Sequence, residues 1–182
     1  FLEKKNNRLK IATARAGNVV GGGDWSKNRL IPDCMKSWLS NRRVYIRNPD
    51  STRPWQHVLD PLHGYLTLAE NLKNDGEING EAFNFGPGTS KIYKVKDICD
   101  SIEKYLPGFS WESSNEMNEI YESKLLALDS TKAFQKLGWS TKLDFKETLI
   151  LTSDWYKEFY SKSQKEILKY TISQIKFFMN KK

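Results

Sequence analysis

A glycine-rich polar segment, residues 15–25, contains groups that could bind a charged ligand. It follows a short, mostly apolar run at residues 11–15 that predicts a strand, and it contains Gly17 and a glycine run at 21–23. Ligands bind at the carboxyl edge of α/β sheets, where glycine lets the backbone approach closely. The Asn18 amide can both donate and accept hydrogen bonds. We therefore predict Asn18 as a ligand-binding residue, with a tight structural loop as the alternative.

A second polar segment, residues 47–58, contains an arginine in a restricted backbone. Arg53 lies between Pro49 and Pro54, and proline limits the conformations of its neighbours. A guanidinium held in this way suits a diphosphate, to which it can donate two parallel hydrogen bonds. A surface ion pair is the alternative for Arg53. For His57 we predict a hydrogen-bonded, half-buried imidazole.

The sequence lacks the motifs that would make this chain catalytic by itself. It contains neither the dinucleotide fingerprint GxGxxG nor the phosphate loop GxxxxGK[ST], and Asp24 after the glycine run would repel a pyrophosphate. None of its eight tyrosines has a lysine four residues later, the arrangement that lowers the pKa of a phenol for proton transfer. His57 and His63 are too few for a metal site. We predict no catalytic residue, no cofactor-binding residue and no metal ligand, and hence an inert chain.

Charge and composition restrict the classes of partner. The net charge is +7, and most of the excess lies in lysines after Thr131 that alternate with apolar residues. This pattern is typical of a solvated helix face, so we predict no nucleic-acid binding. No apolar run approaches the length of about 18 residues that a membrane span needs. Two cysteines, Cys34 and Cys99, predict buried, inert thiols in a cytoplasmic protein.

Short strands alternate with helices along the chain, which predicts an α/β protein. Strands are expected at residues 11–15, 44–46, 82–85 and 125–128. Helices are expected from Pro32, from Pro61, at 95–105, from Asp129 or Ser130 to Gly138, at 144–160 and at 164–180. The three or four strands make an incomplete sheet, and the first residue is Phe1 rather than Met. We therefore expect a single unit, residues 1–182, that belongs to a longer protein.

The sequence resembles the CDP-glucose 4,6-dehydratases, a family of extended short-chain dehydrogenase/reductases. The resemblance lies in seven blocks in the family's order: residues 15–25 (RAGNVVGGGDW), 29–33 (RLIPD), 47–49 (RNP), 53–59 (RPWQHVL), 84–87 (NFGP), 128–133 with 137–139 (LDSTKA, LGW), and 170–175 (YTISQI). Extended-family members share looser Arg-x-x-Asn-Val and Asn-x-Gly patterns. The glycine run with Asp24 and Trp25, and the block at 53–59, indicate the CDP-glucose branch.

The resemblance implies a fold and a reaction. The chain would supply the last strands of a Rossmann-like sheet and the smaller, mixed α/β substrate-binding domain, while the NAD-binding domain would precede Phe1. Such enzymes use one tightly held NAD to oxidise sugar C4, eliminate water across C5 and C6, and return the hydride to C6. The product is CDP-4-keto-6-deoxyglucose, and the full-length enzyme would be a homo-oligomer.

The resemblance also implies which residues bind the substrate. Asn18 would contact the sugar diphosphate, and Arg29 and Arg53 the phosphates or the ribose. Lys124 stands where relatives carry histidine or arginine, and it would keep a positive charge there. Two alternatives remain: another nucleotide-sugar dehydratase or epimerase of the extended family, or a module that binds a nucleotide sugar without turning it over.

Overall fold

The computed structural model of the chain describes residues 9–74, 77–88, 92–114 and 126–181. Within them the strands are β1 (Thr13–Ala16), β2 (Val19–Val20), β3 (Val44–Ile46), β4 (Thr52–Arg53), β5 (Gln56–His57), β6 (Ala82–Phe85), β7 (Tyr93–Lys94) and β8 (Trp111–Ser113). The helices are α1 (Leu30–Leu39), α2 (Leu59–Asn74), α3 (Val95–Tyr105), α4 (Thr131–Leu137), α5 (Phe145–Ser161) and α6 (Gln164–Asn180). The α/β class predicted from the sequence is confirmed.

The strands pair two by two rather than in one broad sheet. β1 runs parallel to β6, β2 to β5 and β3 to β8, whereas β4 is antiparallel to β7. In β1, Thr13, Ala14 and Arg15 are exposed, while Phe83 and Phe85 of β6 are buried. Among the described residues, β1 therefore has a strand neighbour on one side and little cover on its faces.

Two apolar cores hold the helices against these strand pairs. The smaller one joins β6, α2 and α4 around Phe85, whose ring meets Trp139 edge to face at a centroid distance of 4.9 Å. The larger one joins α1, β3, α3 and α5, and contains Cys34 and Cys99, both 0% exposed. Burial of the two thiols, as predicted, is confirmed.

Two helices begin earlier than their prolines suggested. The sequence placed the starts at Pro32 and Pro61, but α1 begins at Leu30 and α2 at Leu59. The first turn of a helix has N–H groups without an intrahelical partner, so proline fits anywhere in that turn and does not mark its first residue.

The last three helices agree with the sequence, but the strand predicted at 125–128 does not. Asp144 and Glu147 form the expected capping box of α5, and Gly138 ends α4 at a φ of 65°. Leu125 lies outside the described residues, and residues 126–128 are not in a strand. Two side-chain hydrogen bonds instead hold residues 129 and 130 beside β6. Asn84 Nδ2 donates to the Asp129 carbonyl, and Ser130 Oγ donates to the Gly86 carbonyl.

Within the part of the chain that the structure describes, no helix is long and apolar enough to cross a membrane. The same residues bring together no group of three histidine, cysteine or acidic side chains that could hold a metal ion.

Candidate functional site

An open cavity of about 1010 Å³ lies between the loop that follows β1, the start of α1 and the strands β3 and β4. Three of the residues predicted to bind a ligand, Asn18, Arg29 and Arg53, line it together. They come from three separate segments of the sequence, which only the fold brings side by side. The fourth, Lys124, lies outside the described residues.

The cavity wall is rich in arginine. Among the described residues, four arginines line it against two aspartates: Arg15, Arg29, Arg47 and Arg53 with Asp24 and Asp33. This excess of positive charge favours a ligand with more than one negative charge, such as a diphosphate. Sequence reasoning did not single out Arg15 and Arg47. Arg15 ends the predicted strand 11–15, and Arg47 directly follows the predicted strand 44–46. Because ligands bind at the carboxyl ends of such strands, these positions could have identified both arginines from the sequence.

Arg53 is the buried arginine of this wall. It ends β4, is 8% exposed, and donates a hydrogen bond from Nη1 to the Thr52 carbonyl at 2.7 Å. Its own carbonyl accepts the N–H of Trp55 at 3.0 Å, which fixes the backbone there. Arg53 is therefore buried rather than on the surface, where the alternative considered from the sequence placed it.

The β2–β5 pair holds Asn18 at the edge of the cavity. Its carbonyl accepts the N–H of Gln56 at 2.9 Å, and Gln56 Nε2 in turn donates to the Phe85 carbonyl at 2.7 Å. Asn18 therefore lies where the β1–β6 and β2–β5 pairs meet, on a backbone that hydrogen bonds hold on both sides.

The glycines of the 15–25 segment accommodate protein side chains. A Cβ on Gly22 would lie 2.0 Å from Trp155 of α5, and one on Gly17 would lie 2.8 Å from the Pro54 carbonyl oxygen. Trp155 and Pro54 thus fill the space beside these two glycines, while the backbone of Gly17 and Gly21 lines the cavity, so a close approach of the backbone to a ligand stays a prediction. The loop is tight, as the alternative considered from the sequence has it, and it also forms one wall of the cavity.

Arg29, unlike the buried Arg53, is largely exposed to solvent. It is the N-cap residue of α1, its side chain is 64% exposed, and Nη1 lies 3.2 Å from Asp24 Oδ2. Partial burial acts to raise the pKa of Asp24, but hydrogen bonds from Ser26 and Arg29 and the charge of Arg29 outweigh it, so that the pKa is lowered. Asp24 is therefore ionised at neutral pH.

His57 lies deeper than predicted. It is 2% exposed rather than half-buried, since α5 packs over β5. The predicted hydrogen bond is present: Nδ1 accepts the N–H of Leu59 at 3.3 Å, while Nε2 has no partner among the described residues. Burial lowers the pKa of His57 to about 4, so the imidazole is neutral at physiological pH.

Curated proteins of known activity resemble the chain. It is 44% identical over 148 residues to CDP-glucose 4,6-dehydratase of Salmonella typhimurium, an alignment that covers 81% of this chain and 41% of that enzyme. This similarity confirms the resemblance that the sequence suggested. A more distant relative, the dTDP-glucose 4,6-dehydratase of Streptomyces antibioticus, is 24% identical over 85% of this chain and 44% of its own length.

Solved structures of nucleotide-sugar epimerases share the fold. The UDP-glucuronic acid 4-epimerase of Bacillus cereus, in complex with UDP-glucuronic acid and NAD, superposes with a TM-score of 0.70 at 22% identity, covering 86% of this chain and 48% of that one. The UDP-glucose 4-epimerase of Stenotrophomonas maltophila, with bound NAD, gives a TM-score of 0.70 at 18% identity over 84% of this chain and 49% of that one. No family model matches the chain. The chain spans less than half the length of these relatives.

Proposed function

We propose that the chain is the nucleotide-sugar-binding part of a CDP-glucose 4,6-dehydratase, a hydro-lyase that forms CDP-4-keto-6-deoxyglucose. The observation that carries this proposal is the convergence of Asn18, Arg29 and Arg53 on one arginine-rich cavity. The 44% identity to the Salmonella enzyme supports CDP-glucose over other nucleotide sugars.

The proposed contacts follow from the environment of each side chain. Arg53, which is buried, donates charge-assisted hydrogen bonds to the diphosphate in a low dielectric, where they are strongest. Arg29 closes over the ligand from the exposed rim, and Asn18 donates to a phosphate or sugar oxygen from the β1 side. Lys124 is the fourth proposed contact. Their joint role is to hold and orient the substrate.

NAD does not fit the residues of this chain alone. The sequence has no GxGxxG fingerprint and no tyrosine with a lysine four positions later. We therefore assign none of residues 1–182 to NAD and derive no step through it. In the proposed enzyme, NAD and the acid and base groups belong to a preceding half, and this chain alone turns over no substrate. Assembly into a homo-oligomer stays a prediction.

The reading frame upstream of Phe1 provides the first test. We expect it to encode a glycine fingerprint and a Tyr-x-x-x-Lys segment, and the complete protein to convert CDP-glucose to a product that has lost one water from the sugar. The 182-residue chain alone, as a control, should give no product. A start codon directly before Phe1, or an epimerised CDP-hexose that retains the water, would contradict the proposal.

Substitution of the buried arginine tests the binding site. In the complete enzyme, Arg53→Ala should weaken CDP-glucose binding by about 2–4 kcal/mol, because charge-assisted contacts with the diphosphate are lost. Isothermal titration with CDP-glucose measures this, and titration with NAD shows whether the fold is intact. Arg43→Ala is the matched control, because Arg43 pairs with Glu112 outside the cavity. Equal CDP-glucose affinity in Arg53→Ala and Arg43→Ala would remove Arg53 from the site.

A further inference from the structure

Contacts from two helices anchor the backbone of Asp24 at the rim of the cavity. The Tyr156 hydroxyl of α5 donates to the Asp24 carbonyl at 2.6 Å, and the adjacent Trp25 ring meets the Tyr156 ring edge to face at 5.2 Å. Lys36 of α1 donates from Nζ to the carbonyls of Trp25 and Ser26 at 3.0 and 3.4 Å. The Cα of Asp24 is therefore fixed relative to both α1 and α5.

Local contacts also fix the carboxylate of Asp24. Oδ1 accepts the N–H of Ser26 at 2.9 Å, and Oδ2 accepts Nη1 of Arg29 at 3.2 Å. One oxygen thus sets the orientation of the carboxylate, and the other is left to orient the guanidinium. The repulsion of a phosphate that an acidic residue here would cause is offset by the paired charge of Arg29.

Among the described residues, Asp24 is the side chain that holds the Arg29 guanidinium. The Arg29 side chain is 64% exposed, and a free arginine samples many rotamers that binding must restrict. The guanidinium has five N–H donors, and the ion pair engages Nη1, which leaves donors for an anion. An exposed ion pair contributes little to stability, so its main effect is on orientation.

From this geometry we infer that Asp24 is a positioning residue for Arg29, which it holds at the cavity rim so that the guanidinium meets the substrate diphosphate already oriented. The inference rests on the proposed function, since it takes the diphosphate of a nucleotide sugar as the ligand of Arg29. Nothing in the 15–25 segment other than Asp24 contributes a carboxylate to this position.

A double-mutant cycle in the complete enzyme tests the inference, with CDP-glucose as the probe in isothermal titration. Asp24→Ala should weaken binding by about three- to fivefold in the wild-type background and leave it unchanged in the Arg29→Ala background. Asp24→Asn keeps one oxygen acceptor, replaces the other with an NH2 donor and removes the charge, so it should recover at most part of the loss; it also provides a second variant if the alanine variant does not fold. Asp33→Asn removes the same charge from the same cavity and should tighten binding.

A second readout needs no ligand. The pKa of Asp24, followed by NMR, should rise in Arg29→Ala, because the hydrogen bond and the charge that lower it are lost. A wild-type enzyme that does not bind CDP-glucose would overturn the proposed function and this inference together. A wild type that binds, combined with an Asp24→Ala variant of equal or higher affinity or with the same loss in the Arg29→Ala background, would overturn the inference alone.

Discussion

His57 and Asp60, at the junction of β5 and α2, are buried titratable residues with opposite pH dependence. Asp60 is 0% exposed, and Oδ1 accepts the N–H of Lys142 at 2.7 Å. Burial raises the pKa of Asp60 to about 6 from 3.8, although the N–H groups of Lys142 and Leu143 act against it. Its protonation therefore stabilises the fold below about pH 4, a contribution that is lost as the pH rises through about 6. For His57, whose pKa is lowered, stability is lost as the pH falls.

Asp60→Asn should isolate one of these contributions. All other titratable groups contribute equally to the pH dependence of both proteins, so the difference between wild type and variant reports Asp60 alone. As the pH is lowered from about 7 to about 4, the free energy of unfolding of the wild type should rise relative to that of the variant by on the order of 2 kcal/mol. Urea denaturation at a series of pH values measures the difference. A difference that does not change with pH would show that Asp60 titrates normally in the folded protein.

At the scale of elements, the fit of one loop against a helix pair shapes the cavity wall. Trp155 of α5 covers Gly22, stacks on Phe159 with ring centroids 5.2 Å apart, and donates from Nε1 to Thr171 Oγ1 of α6 at 2.8 Å. One tryptophan therefore couples the glycine loop to both helices. The position of the loop, and with it the position of Asp24 and Arg29, depends on α5 and α6.

Gly22→Ala tests this coupling. A Cβ there would lie 2.0 Å from Trp155 Cγ, so the substitution should destabilise the protein by about 1–3 kcal/mol through overpacking. In the Trp155→Ala background, where the ring is absent, the same substitution should cost less, although the Cβ that remains at residue 155 would still lie 2.7 Å away. Thermal or urea unfolding of the four proteins gives the coupling. Equal effects of Gly22→Ala in both backgrounds would exclude Trp155 as the reason for the glycine.

At the scale of the whole molecule, the sheet around β1 is incomplete among the described residues. β1 pairs with β6 on one side, three of its four side chains are exposed, and Ile11 before it is 47% exposed. Parallel sheets normally have both faces covered, and an open strand edge promotes association with other chains. The chain also spans 41% of the length of the Salmonella dehydratase.

We therefore expect the 182-residue chain to be poorly soluble or loosely packed by itself, despite its net charge of +7. Co-expression with the preceding half of the enzyme should restore solubility, because β1 and the apolar side chains beside it would then be covered. Size-exclusion chromatography and thermal unfolding compare the two preparations. A monodisperse monomer with a sharp unfolding transition for the chain alone would contradict this expectation and favour a free-standing binding module.

Local structure was predictable from the sequence because near neighbours determine it. The capping box of Asp144 and Glu147 and the left-handed Gly138 each depend on contacts within a few residues, and both were placed correctly. The family blocks were also readable, and the 44% identity confirms that resemblance. Strands of two residues, such as β2 and β5, were missed because so short a run carries no periodic signal.

The tertiary structure decided which of these residues meet. The hydrogen bond from Tyr156 to the Asp24 carbonyl joins residues 132 positions apart, and no local pattern predicts it. The burial of Arg53, the packing of Trp155 on Gly22 and the arrival of Arg15 and Arg47 at the same cavity likewise depend on how distant segments pack. The sequence by itself therefore indicated most of the helices, the longer strands, the family resemblance and the candidate ligand-binding residues. Only the fold decided how deeply the candidate residues are buried, which residues they contact and which charges surround them, because long-range packing sets all three.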